Sequence, residues 1–325
     1  MYGKFVALMS IEESNVERYR FSLSLLAPKY WSTWLGVALY FIITLLPLSL
    51  VDRIGCSLGR YAAKKNKKRF KIVKTNLSLC FPDKDDEQLA SMVEAHFEAQ
   101  YRSLMHYFIL WWRPRRSIEK RLLLEGFEQV EAYHEQGKQV IILLTHSVGL
   151  DFATTAISMN FKANGPYKPV RNAVADWLIA NGRLRYGKRS GGKLFTRDDG
   201  LKPLIRETRA GKVLIYLADE DLGEENSVFV PFFGVQKATI PMLGRLAKLC
   251  DAVVLPCVSC YQPEEQCYIV KLFPAIEDMP TGDAMRDSEN MNKVIEQAIL
   301  ECPVQYLWTL RYFQTRPPGE ASVYE

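Results

Sequence analysis

The sequence predicts an α/β fold, a mainly parallel sheet flanked by helices, with an N-terminal membrane-anchoring helix in front of it. Two observations predict the sheet. Short Val-, Ile- and Leu-rich runs such as 140–144 read as strands buried on both faces. From residue 122 onward such runs alternate with helical periodicity, the pattern of parallel strands joined by crossover helices. A third observation predicts the anchor: WLGVALYFIITLLPLSLV, residues 34–51, holds 18 residues without a charge, near the lower limit for crossing a bilayer core.

Tyr30 and Trp31 stand at one edge of that run, as interfacial aromatics do. Pro47 is a candidate kink or stop. The run begins too far in, and without a small-residue cleavage site, to be a removed signal peptide. Residues 60–74, RYAAKKNKKRFKIVK, follow with eight Lys/Arg and no acid. The positive-inside rule then puts the rest of the chain in the cytoplasm. The alternatives are a helix lying flat in the interface or one buried in the core; unless the helix is buried in the core, the lysines rest on anionic headgroups.

Residues 85–112 carry apolar side chains at helical spacing and read as one long helix, in which His96 and His106 are packing or surface residues. Strand LLLEG, a helix over 127–136 and strand QVIILL come next. Helices at 148–158, 173–186 and 199–209 follow, with a short strand at 167–170 between the first two. Strand KVLIYLA, a helix over 240–249, strands AVVLPCVSCY and CYIVKLF and a helix over 285–301 complete the reading. The layout is an N-terminal segment (1–30), an anchor helix (31–52), a basic and helical membrane-proximal region (53–115) and one α/β domain (116–325).

A composition of 48% hydrophobic and 24% charged residues excludes a disordered chain. The net charge of +5 is uneven: 167–197 also holds eight Lys/Arg with Asp176 as its one acid, so anionic partners are expected. The seven cysteines are odd in number and scattered, which argues for a reducing compartment and against a disulfide framework. Cys257 and Cys260 form a CxxC inside a strand pattern, on opposite strand faces, and suit packing better than metal or redox work.

The chemistry centres on LLTHSVGLDFATT, residues 143–155. A buried strand ends on His146, and Asp151 follows five residues later. On one helix, positions i and i+5 stand about 140° apart and do not meet. For the two to touch, His146 must sit in the turn after the strand, where open α/β sheets bind ligands. There an imidazole can take a proton and a carboxylate can fix its tautomer. The same residues also suit a helix N-terminus, with Ser147 or Asp151 as cap or first-turn charge.

Strand VLIYLA likewise ends on Asp219, Glu220, Asp221 and Gly223. The two loops meet if their strands are neighbours; alone, the second is a solvated acidic turn. FVPFFG is an apolar loop that lines a groove or packs. RNAVADWLIANGRLR carries Arg171, Asn172, Asp176, Arg183 and Arg185, cations that serve a helix C-terminus or grip an anion. RSGGK is not a P-loop, and GxSxG, GxGxxG and HExxH are absent.

The strand-end His-x4-Asp near an anchor resembles the first block of glycerolipid-type acyltransferases. TRDDGLKPLIRETRAGKVLIYLADEDLG, SVFVPFFGVQKATIPMLGRLAKLC and PVQYLWTLRYFQTRPPGE resemble the late acyltransferases of lipid A biosynthesis over nearly the whole chain, leaning to the myristoyltransferase branch through DEDLG and KATIP. The resemblance implies a glycerolipid acyltransferase-like fold at the bacterial inner membrane, with the catalytic domain on the cytoplasmic side. It implies transfer of a fatty acyl group from acyl carrier protein to a hydroxyl on a primary acyl chain of a Kdo-bearing lipid A precursor. His146 is then the general base and Asp151 its partner; Arg183, Arg171, Asn172, Asp219, Asp221 and Gly223 belong to the substrate site. Asp219 and Asp221 order the loop rather than bind an ion. No metal, cofactor or nucleic acid is called for. Asn172-Ala173 departs from the Asn-Pro of many relatives, and DEDLG replaces the Glu-Gly-Thr block of the glycerolipid enzymes, against a glycerol-phosphate acceptor. An acyltransferase for another glycolipid or a lysophospholipid, a hydrolase, or a non-catalytic anchored scaffold are the competing readings.

Overall fold

The structure, a computed structural model, describes residues 19–187 and 191–324. The first 18 residues of the N-terminal segment and residues 188–190 of the glycine turn lie outside the described residues.

The predicted single anchor helix is two helices. α1 (Trp31–Ile43) ends before Pro47, and α2 (Leu48–Lys65) starts directly after it. Proline has no N–H to continue the α1 ladder. The carbonyls freed at the break are taken by Arg113, whose guanidinium donates to Thr44 O and Leu46 O. α2 already carries Asp52 and Arg53 in its second turn. Among the described residues no helix is long and apolar enough to cross a membrane.

α3 (Lys67–Cys80) and the long α4 (Asp86–Trp112) follow. Asp85 starts α4 with a capping box, its carboxylate accepting from Gln88 N while the Gln88 side chain accepts from Asp85 N. Ala62, Val73, Leu77, Val93 and Phe97 from α2 to α4 share one apolar core with sheet residues Ile141 and Leu214. The basic helical region is therefore packed onto the α/β domain rather than strung out before it. Each fully buried Leu, Ile or Phe there contributes about 1.5–3 kcal/mol.

After a short α5 (Arg115–Glu119) the chain alternates. β1 (Leu122–Glu125), α6 (Glu128–Glu135), β2 (Gln139–Leu144), α7 (Leu150–Asn160), β3 (Ala163–Pro166) and α8 (Ala173–Gly187) come first. β4 (Lys193–Phe195), α9 (Leu201–Arg209) and β5 (Val213–Tyr216) follow. A hairpin of β6 (Val228–Phe232) and β7 (Val235–Thr239) leads to α10 (Met242–Cys250), β8 (Ala252–Gln262), β9 (Cys267–Leu272) and α11 (Ala284–Leu300). Among the described residues the main sheet runs β1-β9-β8-β2-β5-β3-β4. Its pairs are parallel except β8–β9, so the mainly parallel, helix-flanked sheet stands as predicted.

Three local expectations are corrected. The strand placed at 167–170 lies at Ala163–Pro166. FVPFFG is no loop: it is most of β6 and its turn, and Phe232 is fully buried. Cys260 is joined to Cys302 by a disulfide across a sequence separation of 42, which an odd count of scattered cysteines gave no means of foreseeing. Cys257, on the other face of β8, is free and buried.

Candidate active site

β2 and β5 are parallel neighbours, with Leu143 opposite Tyr216. Carried three residues further on both strands, the same register sets His146 opposite Asp219. Both ladders have ended there, so the side chains are free to leave the sheet plane at the carboxyl edge, where the strand order places a crevice. His146 Nδ1 is 2.5 Å from Asp219 Oδ1, and His146 N–H donates to Asp219 Oδ2 at 2.8 Å. One carboxylate thus holds both the ring and the main chain of the histidine.

The carboxy-terminal segment closes the other side. Leu307 N–H donates to His146 O and Val148 N–H to Gln305 O, both at 2.8 Å. This pairing carries Tyr306 under the site, where its hydroxyl donates to Asp219 Oδ2 at 2.9 Å. Tyr306, Trp308, Tyr312 and Phe313 are fully or nearly fully buried and form the floor. Gly149 caps α7 against β8 and β9: a Cβ there would meet Ser259 Oγ at 2.9 Å and Tyr268 Cε1 at 3.0 Å, so only glycine fits.

Asp151 does not pair with His146. It lies in the first turn of α7, and Arg183 from α8 grips it with Nε at 2.6 Å from Oδ1 and Nη2 at 3.3 Å from Oδ2. The expected imidazole–Asp151 contact is corrected on this ground: the ring's Nδ1 faces β5, and the Asp151 carboxylate is turned to the guanidinium. Arg183 also lies 5.7 Å from the Tyr167 ring centre. A groove beside it is lined by Leu150, Leu184, Leu194, Ile215 and Leu217.

With Nδ1–H given to Asp219, the lone pair of His146 is on Nε2. The His146 side chain is 17% exposed. Glu220 Oε1 is 3.5 Å from Nε2. Burial pulls the His146 pKa down, but the charge and hydrogen bond of Asp219 and the charge of Glu220 outweigh it, and the net shift is upward. For Asp219, burial pushes the pKa up and the imidazole's charge and hydrogen bonds bring it below the usual carboxylate value. Such a group can take a proton from a hydroxyl and hold the resulting imidazolium between two carboxylates.

The remaining expected site residues divide. Asp221 accepts from Thr315 N at 2.6 Å, Thr315 Oγ1 at 2.8 Å and Gly223 N at 3.0 Å, so it ties the acidic loop to the carboxy-terminal segment. Gly223 turns that loop at φ +104°. Asn172 caps α8 by accepting from Val174 N and Ala175 N at 3.1 Å each, and its amide donates to Thr33 of α1. Arg171 is exposed. One contributor, Tyr306, and one buried cation, Lys237, escaped the sequence reading. Tyr306 sits in an aromatic-rich stretch with no motif of its own. Lys237 sits in KATIP, where its burial on β7 had no sequence signal.

Residues 18–315 match the profile of the bacterial lipid A biosynthesis acyltransferases. The chain is 35% identical to a lipid A biosynthesis lauroyltransferase of Escherichia coli K12, over 94% of this chain and 98% of that one. It is 33% identical to a lipid A biosynthesis acyltransferase of Haemophilus influenzae, over 92% and 93%. It is also 33% identical to the E. coli K12 lipid A biosynthesis myristoyltransferase, over 98% of each. The chain belongs to the bacterial lipid A biosynthesis acyltransferase family. These identities do not separate a lauroyl from a myristoyl branch.

Proposed function

We propose that this enzyme moves a fatty acyl group from acyl carrier protein to a hydroxyl on a primary acyl chain of a Kdo-bearing lipid A precursor, with His146 as general base. The observation that carries this reading is the state of the imidazole: Nδ1 is committed to Asp219 at 2.5 Å, which leaves Nε2, 3.5 Å from Glu220 Oε1, as the proton acceptor of a side chain that is 17% exposed. The donor thioester is already activated, so no enzyme nucleophile is required. The acceptor oxygen attacks the thioester carbonyl while its proton passes to Nε2. The tetrahedral intermediate collapses with cleavage of the C–S bond, and the leaving thiolate takes the proton back from the imidazolium. General-base assistance of this kind is worth about 10²–10⁴ in rate.

Arg183 is the candidate for the oxyanion. Asp151 engages its Nε and Nη2 and leaves Nη1 unused by that pair. A guanidinium fixed by a carboxylate is a preorganised donor, as oxyanion stabilisation demands. Asp151 then acts through Arg183 and not on the ring.

The surface of α1 supports membrane association in a form other than a span. Trp31, Leu35, Leu39 and Ile42 make one exposed stripe along it, and Lys64, Lys65, Lys67 and Lys68 are exposed where α2 meets α3. An exposed apolar stripe suits a helix lying in a membrane surface, and exposed lysines suit anionic headgroups. We place the site facing the cytoplasmic leaflet of the inner membrane, where carrier protein and precursor meet.

The test is an assay in detergent with labelled acyl–acyl carrier protein and the Kdo-bearing precursor. Label on the lipid with wild type and none with His146→Ala supports the reading. Label released as free fatty acid alone indicates a hydrolase, and transfer undiminished in His146→Ala refutes the base.

A further inference from the structure

Lys237 is a lysine with no exposed surface, at the centre of β7 and opposite Val230 in the hairpin. Its Nζ has no hydrogen-bond partner among the described residues. No carboxylate among them lies within 4.0 Å of it, although the Phe232 ring centre is 5.5 Å away. A buried ammonium without hydrogen bonds is strongly unfavourable unless nearby charge compensates it, and a methionine would fill this space without that penalty. The compensating charge is that of Asp219 and Asp221, the two acids whose fields reach Nζ.

We propose that Lys237 is a positioning residue for acyl transfer: a buried counter-cation that balances the Asp219 and Asp221 carboxylates and so keeps His146 a free base. The inference rests on His146 being the base. The groups around it set the sign. His146 faces Asp219 and Glu220, both negative, and Arg183, which is spent on Asp151. Asp219 faces the imidazole, Lys237 and the hydroxyls of Tyr306 and Tyr312. Without Lys237 the buried Asp219 carboxylate stands behind the ring, with half-buried Asp221 in the same loop, and neither has a fixed cation of its own. The imidazole then takes and keeps a proton at the pH where it must accept one. Burial lowers the Lys237 pKa against the pull of Asp219 and Asp221, to about 8, so the ammonium is still charged at neutral pH. Arrangement, burial and charge therefore agree on one role, and a lysine placed only to fill the hairpin core explains none of them.

The experiment follows the ring itself. The chain has four histidines, so His146 is assigned in a histidine-ring NMR titration as the signal missing from His146→Ala. In Lys237→Met the His146 pKa is expected to rise by about one unit, a tenfold change in proton affinity. The acid limb of the kcat/KM profile should move with it, and Lys237→Arg should restore both. Lys237→Gln serves as a second neutral variant. A folded neutral variant in which His146 titrates where the wild type does overturns the proposal. So does failure of both neutral variants to fold, which would make the lysine structural. Should His146→Ala prove fully active while the titration still shifts, the base reading fails and the charge coupling stands.

Discussion

Nδ1 of His146 lies 2.5 Å from Oδ1 of Asp219, and Oδ2 of the same carboxylate accepts from the backbone N–H of His146 at 2.8 Å. Residues at the ends of two neighbouring strands therefore act as one unit. Changes within a unit are not additive. His146→Ala and Asp219→Asn should each lower kcat by about 10²–10⁴, and the double variant should be little worse than the slower single one. Single-turnover transfer in the four proteins checks this.

The pH profile carries a sign. Asp219 and Glu220 raise the His146 pKa above 6.5 against the effect of burial. The unprotonated ring is the working form, so kcat/KM should fall as pH drops through a value above 6.5. Asp219→Asn removes the larger of the two raising charges and should move that limb to lower pH. Initial rates between pH 5.5 and 9, with substrate well below KM, report it.

Asp151→Asn should weaken both folding and catalysis. Removing one partner of a fully buried ion pair costs about 3–5 kcal/mol. The loss here should be smaller, because the Arg183 side chain is 25% exposed. Thermal unfolding reads the stability part. A drop in kcat with little change in the acid limb would separate Asp151, acting through Arg183, from Asp219.

His96 gives an acid-stability prediction. Its ring is fully buried on α4, with Nδ1–H donating to Val304 O at 2.9 Å. Burial lowers its pKa from 6.5 to about 4 despite that bond. The folded state binds the proton less well than the unfolded chain, so this contribution is complete above pH 6.5 and is lost as pH falls toward 4. The loss from this group should be about 3 kcal/mol at pH 4. Urea unfolding of wild type and His96→Gln at pH 7.5 and pH 4.5 tests it: the difference between them should shrink at the lower pH.

The stripe on α1 predicts interfacial binding. Leu35→Ser, Leu39→Ser and Ile42→Ser together should weaken binding to anionic vesicles at least about tenfold, since each apolar side chain buried is worth more than 1 kcal/mol. Co-sedimentation measures it. Turnover on a detergent-dispersed acceptor should be unaffected.

How much of this was readable beforehand depends on range. β2 and β5 announced themselves by composition, and each visibly ended on chemistry, His146 in one and Asp219 in the other. What the chain order could not show was that β2 and β5 are neighbours with matching register, and that fact selects Asp219 over Asp151 as the ring's partner. Asp151 attracted attention because it is near in sequence, yet it sits on the first turn of α7 with its carboxylate held by Arg183. Tyr306 reaches the site through the carboxy-terminal segment, and Lys237 is buried in the β6–β7 hairpin, both long-range placements with no local signature. The apolar run at 34–51 read as one anchor helix and is two helices. Its division at Pro47 depended on Arg113, over sixty residues away, taking up the freed carbonyls. The Cys260–Cys302 link was hidden for the same reason.

The most direct measurement is the NMR titration of the His146 ring in wild type, Asp219→Asn and Asp151→Asn. The account predicts a wild-type pKa above 6.5 that falls sharply in Asp219→Asn and only slightly in Asp151→Asn. A ring that titrates unchanged in Asp219→Asn, or that responds more to Asp151→Asn, would contradict it.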